Sequence, residues 1–284
     1  MIELTVMNAL RIPRDSLPGQ LVLMRHGRTR ANDFYSARRK DVSFDPGESE
    51  ELLSQPDWKH TLSDLGIEQA KGARSWIDRY MGGLATFNTC WTSPYFRTRQ
   101  TAAILSEGAA IKWRIDDRLS EQGYGEASNL HILQEMKKKI QSGDRGKSVW
   151  SFYFNGGESQ IGLQGRFRDF AREHLTGYSE RDSVLLVAHI GLIGVARYCI
   201  ESWLPEEYDR QELLEHSDIK NGSLLIYSRI SPYDDSIVTE RYRWRRIVYP
   251  TSSSSDSEWQ EIATVREFTS QELIDQIKAV RGGI

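Results

Sequence analysis

Three short apolar runs each stop at side chains capable of chemistry. LVLM (21–24) halts at Arg25, His26 and Gly27, TFNTCW (86–91) runs into Ser93 and Pro94, and SVLLVA (183–188) ends at His189. Runs of this length and content predict strands buried in a helix-covered sheet. Between them the period lengthens to that of helices. Ser63 reads as an N-cap for a helix with Ile67, Ala70, Ile77, Tyr80 and Met81 on one side, closed by Gly82 and Gly83. Gly66 inside that helix costs about 1 kcal/mol relative to alanine, which predicts a close neighbour there. Further helices are predicted from Tyr95 to Ser106, around Leu130 to Ile140, and from Gln164 to Leu175, where Phe167, Phe170, Ala171 and His174 share a face.

IKWRI (111–115) reads as another strand, GSLLIYSR (222–229) and IVTERYRWRRIVY (237–249) as antiparallel edge strands, and TSQELIDQIKAVRG (269–282) as a closing helix. This order predicts an α/β fold: three layers, a mostly parallel central sheet flanked by helices, an inserted helical and loop lid, and a C-terminal edge extension. With no internal repeat or dividing linker, one domain over 1–284 is expected, its core at about 20–230 and its extension at about 231–284. Ligands of such sheets bind beyond the carboxyl ends of the strands, which places the site at loops 25–32, 93–97 and 189.

The stretch Asp33 to His60 reads as a long loop of mixed charge with Pro46, Gly47 and Pro56, either a flap over the substrate or a solvated surface loop. Lys137 to Lys139 read as the wet side of a helix whose apolar side holds Leu133, Met136 and Ile140. Trp150, Phe152, Tyr153 and Phe154 either wall the substrate cavity or pack an inserted helix on the core.

Charge narrows the choices. Thirty-seven Lys and Arg against 40 Asp and Glu leave a net charge of −3, no basic footprint for a nucleic acid, and no apolar stretch of the length a membrane span needs. The two cysteines, Cys90 and Cys199, cannot build a disulfide framework and sit in apolar surroundings. With no basic-then-apolar leader at the N-terminus, a cytoplasmic protein is expected. GDRGKS (143–148) lacks the first glycine of a phosphate-binding loop, GYGEAS (123–128) lacks the third glycine of a dinucleotide fingerprint, and the six histidines show no zinc spacing.

What remains is chemistry for phosphate. Arg25, His26, Gly27 and Arg28 put cations, a nucleophile candidate and a glycine directly after a buried strand, and the planar guanidinium fork matches phosphate oxygens. Arg97 opens a helix, where a cation opposes the macrodipole unless an anion lies between them. His189 ends the most apolar strand.

These residues resemble the histidine phosphatase superfamily, also called the phosphoglycerate mutase-like family. The resemblance is carried by RHGRTRAN (25–32), LSDLGIEQA (62–70), SPYFRTRQTA (93–102), RLSEQGYGE (118–126), NGGES (155–159) and VAHIG (187–191), in the family's order and spacing across about residues 20–230. RLSEQGYG and WSFYFNGGES look most like its phosphatase-like branch. The resemblance implies that His26 becomes a phosphohistidine, that Arg25, Arg97 and His189 clamp the phosphoryl oxygens, that Asn32 adds a hydrogen bond, and that Glu121 is the acid and base. It implies a metal-free, cofactor-free hydrolysis of a small phosphorylated substrate, with Gln122 and Tyr124 as substrate contacts and room for a homodimer. True mutases carry an arginine just after the acid, where this chain has Gln122. A cofactor-dependent phosphoglycerate mutase is the first alternative and a non-catalytic phospho-ligand-binding module the second. Ile190 departs from the glycine often found after the second histidine.

Overall fold

In the computed structural model, which describes residues 17–39, 43, 45–123, 125, 156–205, 207–208, 218–251, 256–262 and 267–281, strands and helices alternate along most of the chain. In order they are β1 (Gln20–Arg25), α1 (Arg30–Arg39), α2 (Pro46–Ser54), α3 (Asp64–Met81), β2 (Thr89–Thr92), α4 (Phe96–Leu105), β3 (Trp113–Ile115), α5 (Gln160–His174), β4 (Ser183–Ala188), α6 (Ile190–Ile200), β5 (Leu224–Ser228), β6 (Trp244–Val248), β7 (Gln260–Glu261) and α7 (Ser270–Arg281). The seven strands form one sheet, β3-β2-β4-β1-β5-β6-β7. The block β3-β2-β4-β1 is parallel, and β5, β6 and β7 continue it antiparallel.

Strand alternation sorts the apolar side chains into two cores. Leu21, Leu23, Val184, Leu186 and Leu225 face α5 and α6, meeting Leu163, Phe167, Phe170, Ile193 and Ala196. Val22, Met24, Leu185, Val187 and Ile226 face the other way, onto Ala73 and Ile77 of α3 and Leu105 of α4. The continuous apolar runs of β1 and β4 follow from this two-sided burial. Among the described residues no helix is long and apolar enough to cross a membrane.

The Ser63 cap expected from sequence is present: its Oγ accepts from the Gly66 N–H at 3.3 Å and donates to the Arg28 carbonyl at 3.2 Å. That second bond ties the start of α3 to the segment after β1. Gly66 is where the two backbones meet, since a Cβ on it would lie 1.9 Å from the Arg28 carbonyl oxygen. Backbone cannot swing aside as a flexible side chain can. Gly66→Ala is therefore expected to destabilise the fold by about 1–3 kcal/mol, read as a lower denaturant midpoint at unchanged slope.

Several boundaries differ from the sequence expectation. The buried positions of α3 are Gly66, Ala70, Ala73 and Ile77, a narrower stripe than expected, and Tyr80 is exposed. The second strand starts at Thr89 rather than Thr86, because Leu84–Thr86 form a 3₁₀ turn. The third strand keeps only Trp113–Ile115, and α5 starts at Gln160, capped by Ser159, four residues before the expected Gln164. The long strand expected over 237–249 shortens to Trp244–Val248, with Val238 only in an isolated bridge to Ile230. The stretch 33–60 is not an irregular loop: it carries most of α1, all of α2 and a 3₁₀ turn at Asp57–Lys59. The helix around 130–140, its lysines, the aromatics at 150–154 and Tyr124 lie outside the described residues.

Candidate active site

β1, β4 and β2 are neighbours, and all three end at the same edge of the sheet. The β1–β4 ladder runs on past Arg25, with the His26 N–H donating to the Ala188 carbonyl at 3.0 Å, and the Ser93 N–H donates to the Val187 carbonyl at 3.2 Å. Residues far apart in the chain are thereby gathered at one point. The rings of His26 and His189 lie 5.3 Å apart edge-to-face, and the Tyr95 ring stands 4.9 Å from His189 on another side.

Each imidazole is held by one nitrogen. His26 Nδ1 is 2.7 Å from its neighbour's carbonyl, Gly27 O, so Nδ1 carries the proton and Nε2 the lone pair. His189 Nε2 is 2.8 Å from Ser93 Oγ. That hydroxyl accepts from the Tyr95 N–H at 3.3 Å, and where it donates its own proton to His189 Nε2 the ring proton sits on Nδ1. His189 Nδ1 is buried and has no hydrogen-bond partner among the described residues, as suits a site built to receive an acceptor-rich ligand.

Both rings are held neutral. Burial pushes the His26 pKa well below its usual value, and Arg97 and then Arg25 push in the same direction, against a smaller opposing effect of the Gly27 carbonyl. His189 is lowered well below its usual value too, by burial, then Arg97, His26 and Arg25. The two guanidiniums thus act on both rings. Arg25 is anchored through Nη1 to the Ile219 carbonyl at 2.8 Å.

Glu121 follows a 3₁₀ turn at Asp117–Leu119 and is 7% exposed, so its charged form is poorly solvated. Burial raises its carboxyl pKa above the ordinary range, helped by Asp57, while the Gln122 N–H, Arg97 and the Gly191 N–H pull it down. Its oxygens meet the Gln122 N–H at 2.9 Å and, at 3.5 Å, the Gly191 N–H in the first turn of α6. A Cβ on Gly191 would sit 2.5 Å from Glu121 Oε1, so any side chain there would displace the carboxyl from this contact.

The expected residues come together unevenly. Arg25, His26, Arg97, Glu121 and His189 are linked by the contacts and electrostatic effects above. Asn32 lies beside them, its Oδ1 accepting from the Thr29 N–H at 3.2 Å and from Asn221 Nδ2 at 3.4 Å. Gln122 is buried with both ends of its amide engaged, Nε2 donating to the Glu158 carbonyl at 2.8 Å and Oε1 accepting from Gln160 Nε2 at 2.7 Å.

Sequence reasoning missed three neighbours. Arg166 forks onto both oxygens of Glu158 at 2.7 Å and donates to the carbonyls of Arg118, Ser120 and Glu121, fixing the backbone that carries Glu121. Asn221 Nδ2 donates to the His26 carbonyl at 3.1 Å. Asp57, in the stretch read as a loop, pairs with Arg97 at 3.1 Å. The anion that the start of α4 demands is thus partly supplied from within the chain.

A sheet of this topology, with its chemistry at the carboxyl ends of three parallel strands, places the protein among α/β enzymes. The chain belongs to the histidine phosphatase superfamily (branch 1), whose family model matches residues 21–228. It is a hydrolase of the histidine-phosphatase type, acting on a phosphate monoester. Similar solved structures share the fold. Mycobacterial glucosyl-3-phosphoglycerate phosphatase, solved with VO3, is 22% identical with a TM-score of 0.55, the match covering 74% of this chain and 92% of that one. A putative alpha-ribazole-5'-P phosphatase from Escherichia coli is 18% identical with a TM-score of 0.52, covering 78% and 98%. A comparison with curated proteins finds no match.

Proposed function

We propose that the protein hydrolyses a phosphate monoester in two steps through a phosphohistidine on His26. The supporting observation is the Nδ1 contact to Gly27 O, which leaves the lone pair on Nε2 of a ring whose pKa Arg97 and Arg25 both lower, beside a second histidine whose Nδ1 has no partner among the described residues. In the first step Nε2 attacks phosphorus, the ester P–O bond breaks, and the departing alkoxide takes the proton of Glu121. In the second step the Glu121 carboxylate takes a proton from water, the water oxygen bonds to phosphorus, and the N–P bond breaks to release inorganic phosphate.

Phosphoryl transfer asks for alignment and for stabilisation of charge spread over three oxygens. Arg25, Arg97 and His189 Nδ1–H supply donors for those oxygens, with the Asn32 amide nitrogen as a further one. A bound phosphate dianion raises the Glu121 carboxyl further, keeping it in its donating form. Burial of both histidines removes water that would otherwise solvate the nucleophile.

Gln122 favours hydrolysis over isomerisation. The position after the acid carries a neutral amide already tied to Glu158 and Gln160, and not a cation that could retain a second anionic group. Inorganic phosphate release and bisphosphate-primed phosphoglycerate isomerisation, assayed on the same preparation, separate the two. Hydrolysis is expected to run without primer and isomerisation to stay at background. Primer-dependent isomerisation faster than phosphate release would make the protein a mutase.

A further inference from the structure

Asp57 is half exposed, whereas the arginine it grips is buried: their side-chain exposures are 49% and 6%. The grip takes one edge of the guanidinium. Arg97 Nη1 donates to the Asp57 backbone carbonyl at 2.7 Å and to Oδ1 at 3.2 Å, while Nη2 donates to Oδ2 at 3.1 Å. Those bonds consume both Nη1 protons and one on Nη2. Nε–H and the second Nη2–H, which share the lateral edge, have no partner among the described residues. A guanidinium is planar with donors in fixed directions, so pinning one edge determines where the other points. The Tyr95 ring, 4.8 Å from the Arg97 guanidinium carbon, lies against the same group.

We infer that Asp57 is a positioning residue for the phosphate clamp, holding Arg97 end-on so that its lateral Nε/Nη2 fork is presented to the phosphoryl oxygens beside His26. This rests on the reading of Arg97 as part of the clamp. It gives a role to a short turn in the stretch 33–60, which is otherwise α1, α2 and their connections. A carboxylate placed merely to fill the phosphate's position would have the opposite effect on anion binding, so the two arrangements differ in sign.

Asp57 also faces other titrating groups. His60, Tyr95 and Glu121 each feel its charge, and each feels Arg97 as well. Arg166 reaches the Glu121 carbonyl from α5. Removing the Asp57 charge lets the Glu121 carboxyl fall, because Asp57 acts in the raising direction there.

The test is Asp57→Asn in the full chain, with and without Arg97→Lys. We expect Asp57→Asn to lower kcat/KM for a phosphomonoester about tenfold or more, to weaken inhibition by orthovanadate, and to move the alkaline limb of the pH profile to lower pH. Asp57→Glu, which keeps the carboxylate, should recover part of the loss. Lysine cannot form the fork, so Asp57→Asn should cost nothing further in kcat/KM when Arg97 is lysine. Tighter orthovanadate binding by Asp57→Asn, or an equal loss in both backgrounds, would overturn the inference. Full turnover by Asp57→Asn, with His26→Ala inactive, would remove this inference and leave the phosphohistidine reading intact. Full turnover by His26→Ala would remove both.

Discussion

Replacing His26 with alanine is expected to lower kcat for phosphate release by about 10⁴-fold or more, because the attacking atom itself is deleted. Water could replace it only without the tethering and alignment that the ladder to Ala188 and the Gly27 contact impose. Binding should suffer far less than turnover, since Arg25, Arg97 and His189 remain to hold the phosphate. Orthophosphate inhibition that stays within about tenfold of the parent, beside a collapsed kcat, would separate loss of the nucleophile from loss of the site.

The second large effect concerns Glu121. Glu121→Gln keeps the shape and removes the titrating proton, and is expected to lower kcat/KM for an alkyl phosphate by about 10²–10⁴-fold, the usual contribution of a positioned acid. The pH profile carries the sharper signature. Activity needs neutral His26, whose pKa is lowered by burial and the two arginines, so the acid limb lies below the ordinary histidine range and activity falls as pH drops through it. It also needs protonated Glu121, whose pKa is raised by burial, so activity falls as pH climbs through a value above the ordinary carboxylate range. The glutamine variant should keep the acid limb and lose the alkaline one. An alkaline limb that persists unchanged would assign it to another group.

How much of this was legible in the chain depends on the range of the contacts involved. β1, β4 and the start of α3 are specified by local signals, a two-sided apolar run or a serine three residues before an approached glycine, and the structure carries all three. The strand-end placement of His26, Ser93 and His189 was legible for the same reason. The stretch 33–60 reads as a loop because Pro46 and Gly47 have the character of breakers, whereas Pro46 is the first residue of α2, a position that does not need its missing N–H. Tyr80 was misplaced because the glycine and alanines of α3 narrow its buried stripe and leave the last turn outside it. No local rule reveals that Asp57 grips Arg97 forty residues on, that Glu121 meets Gly191 across 70, or that Arg166 brackets the backbone of residues 118–121. Those contacts depend on the tertiary arrangement, and they tune the site that the strand ends assemble.

The same chemistry points to the most direct measurement. An aryl phosphate with a good leaving group does not need the Glu121 proton in the first step, but the second step still needs the Glu121 base to activate water. Glu121→Gln mixed with 4-nitrophenyl phosphate and quenched in alkali should therefore accumulate a phosphohistidine, located by peptide mass spectrometry on His26. Phosphate found on His189, or steady turnover of that substrate with no phosphorylated histidine at any quench time, would contradict the account.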